Sequence, residues 1–357
     1  MDRIGEITSR IKEWQRKNYA HPYKLDIFLT NRCNLKCRFC QFPLLDKKSY
    51  KNELSKQKLM EIIKQAARLD VKIVGLLGGE PFIRNDAILD LMGLIKEKGM
   101  DGSLVTNGTL LTRKQIEKII HMQWNLIRFS IDGSTEKIHD SLRRAKSFKK
   151  IISTLGNFKE LKQKDKNPAI EINSVLCRKN MKDLSGIIGL AHRYDIKNIY
   201  FLPMIGFTEN IEDLKIREMD IPILTEKINL AKKLSQKYDV RTNLEQIQCD
   251  SLYTKSDRID TVILEEKDQK SFIPCYLPWY GLNINPDGMV TPCSAASGNR
   301  ELLCGEVNRY SLEEIWNSSG FKSLRKKMSR KELPNICSKC CVPLLDENNH
   351  IRALLQG

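Results

Sequence analysis

The sequence predicts an α/β fold built on a parallel sheet, and three observations carry that expectation. From Lys24 to Leu202, strand-like runs and helical patterns alternate. The runs are rich in Ile, Val and Leu, as strands of a buried parallel sheet are. The segments between them have room for crossover helices, which join parallel neighbours. At 357 residues the chain has length for one large domain and a smaller one.

The elements follow in order. Ile4, Ile7, Ile11 and Trp14 recur at helical spacing among charges, so residues 1–23 read as a docking helix and its exit. Strands are expected at 25–30, 72–77, 102–106, 126–131, 169–176 and 198–202. Helices are expected at 56–69, 86–98, 113–121, 148–161 and 182–194. These elements make a core unit at 24–205. Residues 206–270 break the alternation, with one helix at 221–238 opened by Pro222 and a polar linker and lid at 245–270. A smaller unit at 271–345 opens with a hairpin at 282–290 around Pro286-Asp287-Gly288, and 346–357 reads as a tail. Periodicity leaves a flat doubly wound sheet and a partial barrel equally open.

Composition narrows the functional classes. Apolar residues make up 41%, and no run approaches the ~20 that a membrane span needs. The N-terminus lacks an apolar signal core, so eleven cysteines argue for metal ligation in a reducing cytoplasm rather than for disulfides. The net charge of +16 fits a solvated lysine-rich surface, an acidic redox donor such as flavodoxin or ferredoxin, phosphorylated substrates or nucleic acid. The densest basic patches, 143–150 and 322–331, lack the interleaved aromatics of a nucleic-acid stacking platform.

The chemistry concentrates in Cys33-Asn34-Leu35-Lys36-Cys37-Arg38-Phe39-Cys40, after the first strand. Three thiolates fill three positions of a cubic iron–sulfur cluster and leave one iron without a protein ligand. Zinc would want a fourth side chain, and the nearest candidate, His21, precedes the strand. This Cys-x3-Cys-x2-Cys spacing resembles the signature of the radical S-adenosylmethionine (SAM) family. The resemblance implies a (β/α)6 partial barrel with its active site at the C-terminal strand ends. It also implies a [4Fe–4S] cluster on Cys33, Cys37 and Cys40 whose open iron is chelated by SAM.

The strand ends then read as one site. Gly78-Gly79-Glu80-Pro81 is an ordinary strand-to-helix turn by itself, and it resembles the family motif that holds the amino group of SAM. Asn107, in Thr106-Asn107-Gly108, and Ser130 and Asp132, in Ser130-Ile131-Asp132-Gly133, match family positions at the barrel mouth. His139-Asp140-Ser141-Leu142-Arg143 resembles a segment whose arginine contacts the SAM carboxylate; for Arg143 a surface salt bridge is the competing reading. Asn173 or Ser174 would point inward toward the ribose, and Leu202 would pack against adenine, with plain core packing as the alternative.

Cys275 and Cys293, brought together by the hairpin, and the pair Cys337 and Cys340 supply four thiolates, enough for a [4Fe–4S] cluster or zinc. The pattern resembles the SPASM/twitch extension of radical SAM enzymes, which implies one auxiliary [4Fe–4S] cluster on those four residues. Cys304 and Cys341 are left over, and Cys177 and Cys249 are read as structural. The expected function is an oxidoreductase-type radical SAM enzyme. Its cleavage of SAM to a 5′-deoxyadenosyl radical would serve to oxidise or rearrange a small sugar- or cyclitol-like metabolite, or to mature a peptide. Reduced flavodoxin or ferredoxin would be the donor. The short N-terminus leaves no room for a fused leader-binding domain of ~80 residues, and the missing terminal Gly-Gly disfavours a molybdenum-cofactor cyclase. No side chain stands out as the acid or base acting on substrate. A non-catalytic iron–sulfur carrier would not need the turn at 78–81, and a zinc-containing nucleic-acid-binding protein is favoured only by the charge.

Overall fold

The protein is described by a computed structural model covering residues 2–45, 47–162, 166–204, 211–247, 275–294, 300–332, 334, 337 and 342–356. Most of the expected linker and lid, together with Cys249, Cys340 and Cys341, lies outside these residues.

Strands β1 (Lys24–Phe28), β2 (Ile73–Leu77), β3 (Asp101–Thr106), β4 (Leu126–Ser130), β5 (Ala169–Leu176) and β6 (Asn198–Pro203) pair in chain order, every pair parallel. A doubly wound sheet reverses its strand order at a switch point. This one does not: the order is that of a sheet wound in one direction, as in a barrel. A short β7 (Arg241–Thr242) adds to β6.

The crossovers are α2 (Lys56–Arg68), α3 (Ile88–Glu97), α4 (Arg113–His121), the pair Glu136–Arg143 and Phe148–Lys162 (α5 and α6), and α7 (Leu184–Arg193). Ile27, Leu76, Leu104 and Ile127 form one register row, all 0% exposed, on the face that meets the helices. Phe129 continues that face and packs edge-on against Phe158 of α6 at 5.7 Å. The opposite face is partly open. It carries the ion pairs Lys24–Asp26 (2.8 Å) and Arg128–Glu171 (2.8 Å). The strands are therefore continuously apolar toward the helices and mixed, polar with apolar, on the opposite face.

The C-terminal part adds its strands to the same sheet. The hairpin of β8 (Gly281–Ile284) and β9 (Met289–Thr291) forms as expected, with Gly288 at φ +91°. Yet β8 pairs parallel with β1, and β10 (Gly305–Glu306) follows β9, so all ten strands make one sheet. Arg325, 3% exposed, binds the parts together. It stacks over Trp316 at 4.3 Å and donates to Pro278 O at 2.9 Å. The N-terminal helix α1 (Arg3–Lys17) buries Ile7 and Ile11 and sets Trp14 against Trp279 at 5.8 Å. The helix between β6 and β7 is α8 (Ile221–Lys237), with proline in its first turn. After α9 (Leu312–Trp316) and α10 (Ser319–Ser329), the expected tail forms a last helix, α11 (Val342–Gln356), packed on α1 with Ile351 at 0% exposure.

Candidate active site

The loop after β1 is held from below by one buried carboxylate. Glu53 accepts from Thr30 Oγ1 (2.5 Å), Asn31 N–H (3.0 Å) and Arg32 Nη2 (2.8 Å). The turn after β2 closes its other side: Gly79 N–H donates to Thr30 O (2.8 Å) and Glu80 N–H to Arg32 O (2.9 Å). Contact is so close that a Cβ on Gly78 would lie 2.6 Å from Thr30 O, and one on Gly79 2.3 Å from Arg32 O. Gly78 also has φ +142°, which favours glycine.

Above this frame, Cys33, Cys37 and Cys40 line one cavity of about 260 Å³ at the C-terminal strand ends. Gly78, Gly79, Asn107, Ser130 and Arg143 line the same cavity. Burial pushes the Cys33 thiol up to about 12 and the Cys40 thiol to about 11. Thiols so placed stay protonated unless a cationic centre compensates the thiolates. Donors already converge on two of the sulfurs. Leu35 N–H lies 3.4 Å and Asn107 Nδ2 3.9 Å from Cys33 Sγ; Arg143 Nη1 lies 3.5 Å from Cys37 Sγ.

Two carboxylates brace the rim without lining it. Glu80, 0% exposed, accepts from Phe82 N–H, Thr106 Oγ1 and Asn107 N–H at 3.1, 2.8 and 2.8 Å. Its oxygens are thus engaged inside the protein, and it ties the β2 turn to the β3 turn. Pro81 opens the short 3-10 turn that follows. Asp132, also 0% exposed, accepts from Val175 N–H at 2.8 Å and pairs with Arg143 Nη2 at 2.6 Å. Burial works against the charge on Arg143, but Asp132 together with the sulfurs of Cys37 and Cys40 holds the guanidinium above its ordinary pKa. His139 Nδ1 accepts from Asp132 N–H at 3.3 Å, and Asp140 caps the start of α6 through Ser147 and Phe148 N–H. The His-Asp-x-x-Arg segment therefore serves Asp132 from two sides. Arg143 is 7% exposed, so the surface salt bridge expected as an alternative is replaced by a buried pair.

On β5, register settles a choice that sequence left open. Asn173 pairs with Ser130 and Tyr200, which puts it on the cavity side. Ser174 pairs with Phe201 and lies on the helix side, 0% exposed with no partner for Oγ among the described residues. Side chains alternate across a strand, so only one of the two can face the cavity. Leu202, half-buried, is the register partner of Val175 on the inner face. Sequence reasoning missed Glu53 and also Val105, which lines the cavity from β3; a single Glu in a polar stretch carries no motif.

At the second cysteine group, Cys293 follows β9 and Cys275 precedes a 3-10 turn at Leu277–Trp279. Burial pushes Cys337 up to about 12, and Cys275 nearby adds to the shift. Cys304 is 6% exposed and donates to its own loop at Leu302 O (3.5 Å), and Cys177 is 1% exposed.

Three thiols around one cavity fit a cluster held by three cysteines. Arg143 Nε, buried beside them without a partner among the described residues, fits a further anionic ligand. Fold and site together define a cluster-dependent enzyme working at the mouth of a partial barrel. The radical SAM superfamily model matches residues 27–191, and the SPASM iron–sulfur cluster-binding domain matches 275–341. The chain thus carries a radical SAM domain followed by a SPASM domain. It is 27% identical over 319 residues to a PqqA peptide cyclase of Rhizobium meliloti, spanning 87% of this chain and 77% of that one. Its fold resembles Streptococcus suis SuiB bound to precursor peptide SuiA (TM-score 0.66, 18% identity, 89% and 70% of the two chains). It also resembles anSMEcpe with bound AdoMet and Kp18Cys peptide (TM-score 0.63, 17% identity, 89% and 86%).

Proposed function

We propose that this enzyme modifies a peptide substrate by radical SAM chemistry. One observation carries the choice over a sugar-like metabolite: the similarity to a PqqA peptide cyclase runs through most of both chains. When bound, the [4Fe–4S] cluster and SAM would supply the radical chemistry needed to remove hydrogen from an unactivated carbon.

The chain's own residues bind, orient and shield. Cys33, Cys37 and Cys40 would hold the cluster, and Gly78 and Gly79 leave the wall free of side chains where the SAM amino group would approach. Arg143 keeps a positive charge beside Cys37, suited to a carboxylate, while Asp132 and Glu80 hold the rim in place. Asn107, Ser130 and Asn173 present hydrogen-bonding groups for the ribose side, and Leu202 an apolar one for adenine. The cavity walls would shield a reactive intermediate from water. Cys275, Cys293, Cys337 and Cys340 would hold one auxiliary cluster, able to take the second electron of an oxidation. The basic surface, net +16, suits an acidic flavodoxin or ferredoxin in a reducing cytoplasm. Among the described residues no helix is long and apolar enough to cross a membrane.

The test is anaerobic turnover of reconstituted protein with SAM, reductant and a panel of candidate precursor peptides. Peptide of altered mass, with 5′-deoxyadenosine formed in step, is the expected result. An unchanged peptide alongside turnover of a sugar or cyclitol would overturn the reading.

A further inference from the structure

Asn348 lies on α11, in the stretch that reads as a tail from sequence alone. It is 1% exposed, and its carboxamide clasps a single residue step of the segment carrying Cys275. Tyr276 N–H donates to Asn348 Oδ1 at 2.6 Å, and Asn348 Nδ2 lies 3.8 Å from Cys275 Sγ. The first bond settles the orientation of the amide. A backbone N–H needs an acceptor, so the oxygen faces Tyr276 and the NH2 group is left for the sulfur. The neighbouring Glu347 pins the helix on two sides. It accepts from Tyr280 Oη at 2.6 Å and from Arg3 Nη2 at 2.5 Å.

A hydrogen bond to a ligand sulfur stabilises the more electron-rich, reduced form of a cluster, and this is one lever that sets its potential. We propose that Asn348 is a positioning residue of the auxiliary cluster, fixing the Cys275 side chain and raising the reduction potential of that site through its N–H···S contact. The proposal rests on Cys275 being an auxiliary ligand. It assigns α11 to the auxiliary site as its outer support. The barrel cluster, with its own donors from Arg143, Asn107 and Leu35, is independent of it.

Two substitutions in the full-length, anaerobically reconstituted protein separate the electronic role from a structural one. Asn348→Asp keeps an oxygen for Tyr276 N–H but exchanges the donor near sulfur for a carboxylate oxygen. Asn348→Leu removes both contacts. In Asn348→Asp we expect SAM cleavage and the barrel irons to be retained. Redox titration followed by EPR should show the auxiliary midpoint moving to more negative potential. The shift should be at least the equivalent of a tenfold change in the oxidised-to-reduced ratio, ~59 mV for one electron. A midpoint unchanged in Asn348→Asp overturns the proposal, as does loss of irons in Asn348→Leu alone with that midpoint unmoved. Should neither variant keep enough cluster to titrate, pulsed EPR of wild-type protein carrying 15N-asparagine gives the answer. A nitrogen coupled to the reduced auxiliary cluster supports the contact, and its absence overturns it. Cys275→Ala distinguishes a deeper failure: if that variant keeps every iron, Cys275 is no ligand, whatever Asn348 does.

Discussion

Arg143 stands between a carboxylate and a thiol: its Nη2 is 2.6 Å from Asp132 Oδ2 and its Nη1 is 3.5 Å from Cys37 Sγ. One guanidinium thus links the end of β4 to the cluster loop. The pair is buried, so its members depend on each other far more than surface charges do.

Replacing Asp132 by Asn should therefore leave a buried cation without its counter-charge. Breaking such a pair from one side typically costs about 3–5 kcal/mol. Denaturant unfolding of the Asp132→Asn protein should show a loss of that order, together with lower iron content after reconstitution. A loss under ~0.5 kcal/mol, the scale of an ordinary surface substitution, would show that Asp132 does not support Arg143.

His139 makes stability depend on pH. Burial and then Arg143 lower its pKa from the ordinary 6.5 to about 3. Folded His139 is neutral, while the unfolded chain takes up a proton below 6.5, so stability falls as pH drops from 6.5 toward 3. The slope from this group approaches ~1.4 kcal/mol per pH unit within that window. His139→Gln should flatten the decline between pH 6.5 and 5 relative to wild type. Parallel curves for the two proteins would count against the neutral, buried imidazole.

Gly79→Ala tests the contact between the β2 turn and the cluster loop. The added Cβ would meet Arg32 O at 2.3 Å, and backbone cannot swing aside as a side chain does. Reconstitution should fail at the barrel site, with about four irons missing and no 5′-deoxyadenosine formed. A fully loaded Gly79→Ala enzyme would mean that the turn is looser than described.

Cys293→Ala should likewise lose about four irons, since a cubic cluster with an incomplete thiolate shell is held poorly. The barrel site keeps its three cysteines, so slow SAM cleavage without product should persist. Cys341→Ala should retain all the iron if Cys340 is the fourth ligand; the reverse pattern would exchange their roles.

The surface charge gives a kinetic prediction. If it docks an acidic donor, turnover with flavodoxin should drop steeply as salt rises, because exposed charges are screened over ~10 Å at 0.1 M. Turnover with dithionite should change much less. Equal sensitivity with both reductants would leave the +16 as a solvated surface.

Much of this protein is written locally, and local features are what a single sequence exposes. The Cys33, Cys37 and Cys40 spacing, the glycines at 78 and 79, the hairpin at Pro286-Asp287-Gly288 and the alternation of six strands with five helices each depend on residues near one another in the chain. Their turn chemistry and periodicity were legible for that reason. What pairing decides was not. Sheet register puts Asn173 on the cavity side and Ser174 on the helix side, one residue step that reverses a side chain. The helix Glu136–Arg143 escaped notice because its eight residues carry only two apolar side chains, Ile138 and Leu142, too few to mark a period, although it delivers Arg143. Glu53 under the cluster loop, the continuation of β1 into β8, and Asn348 beside Cys275 join segments far apart in sequence. Buried polar groups must find partners wherever the fold brings them, and only tertiary structure says which partners those are.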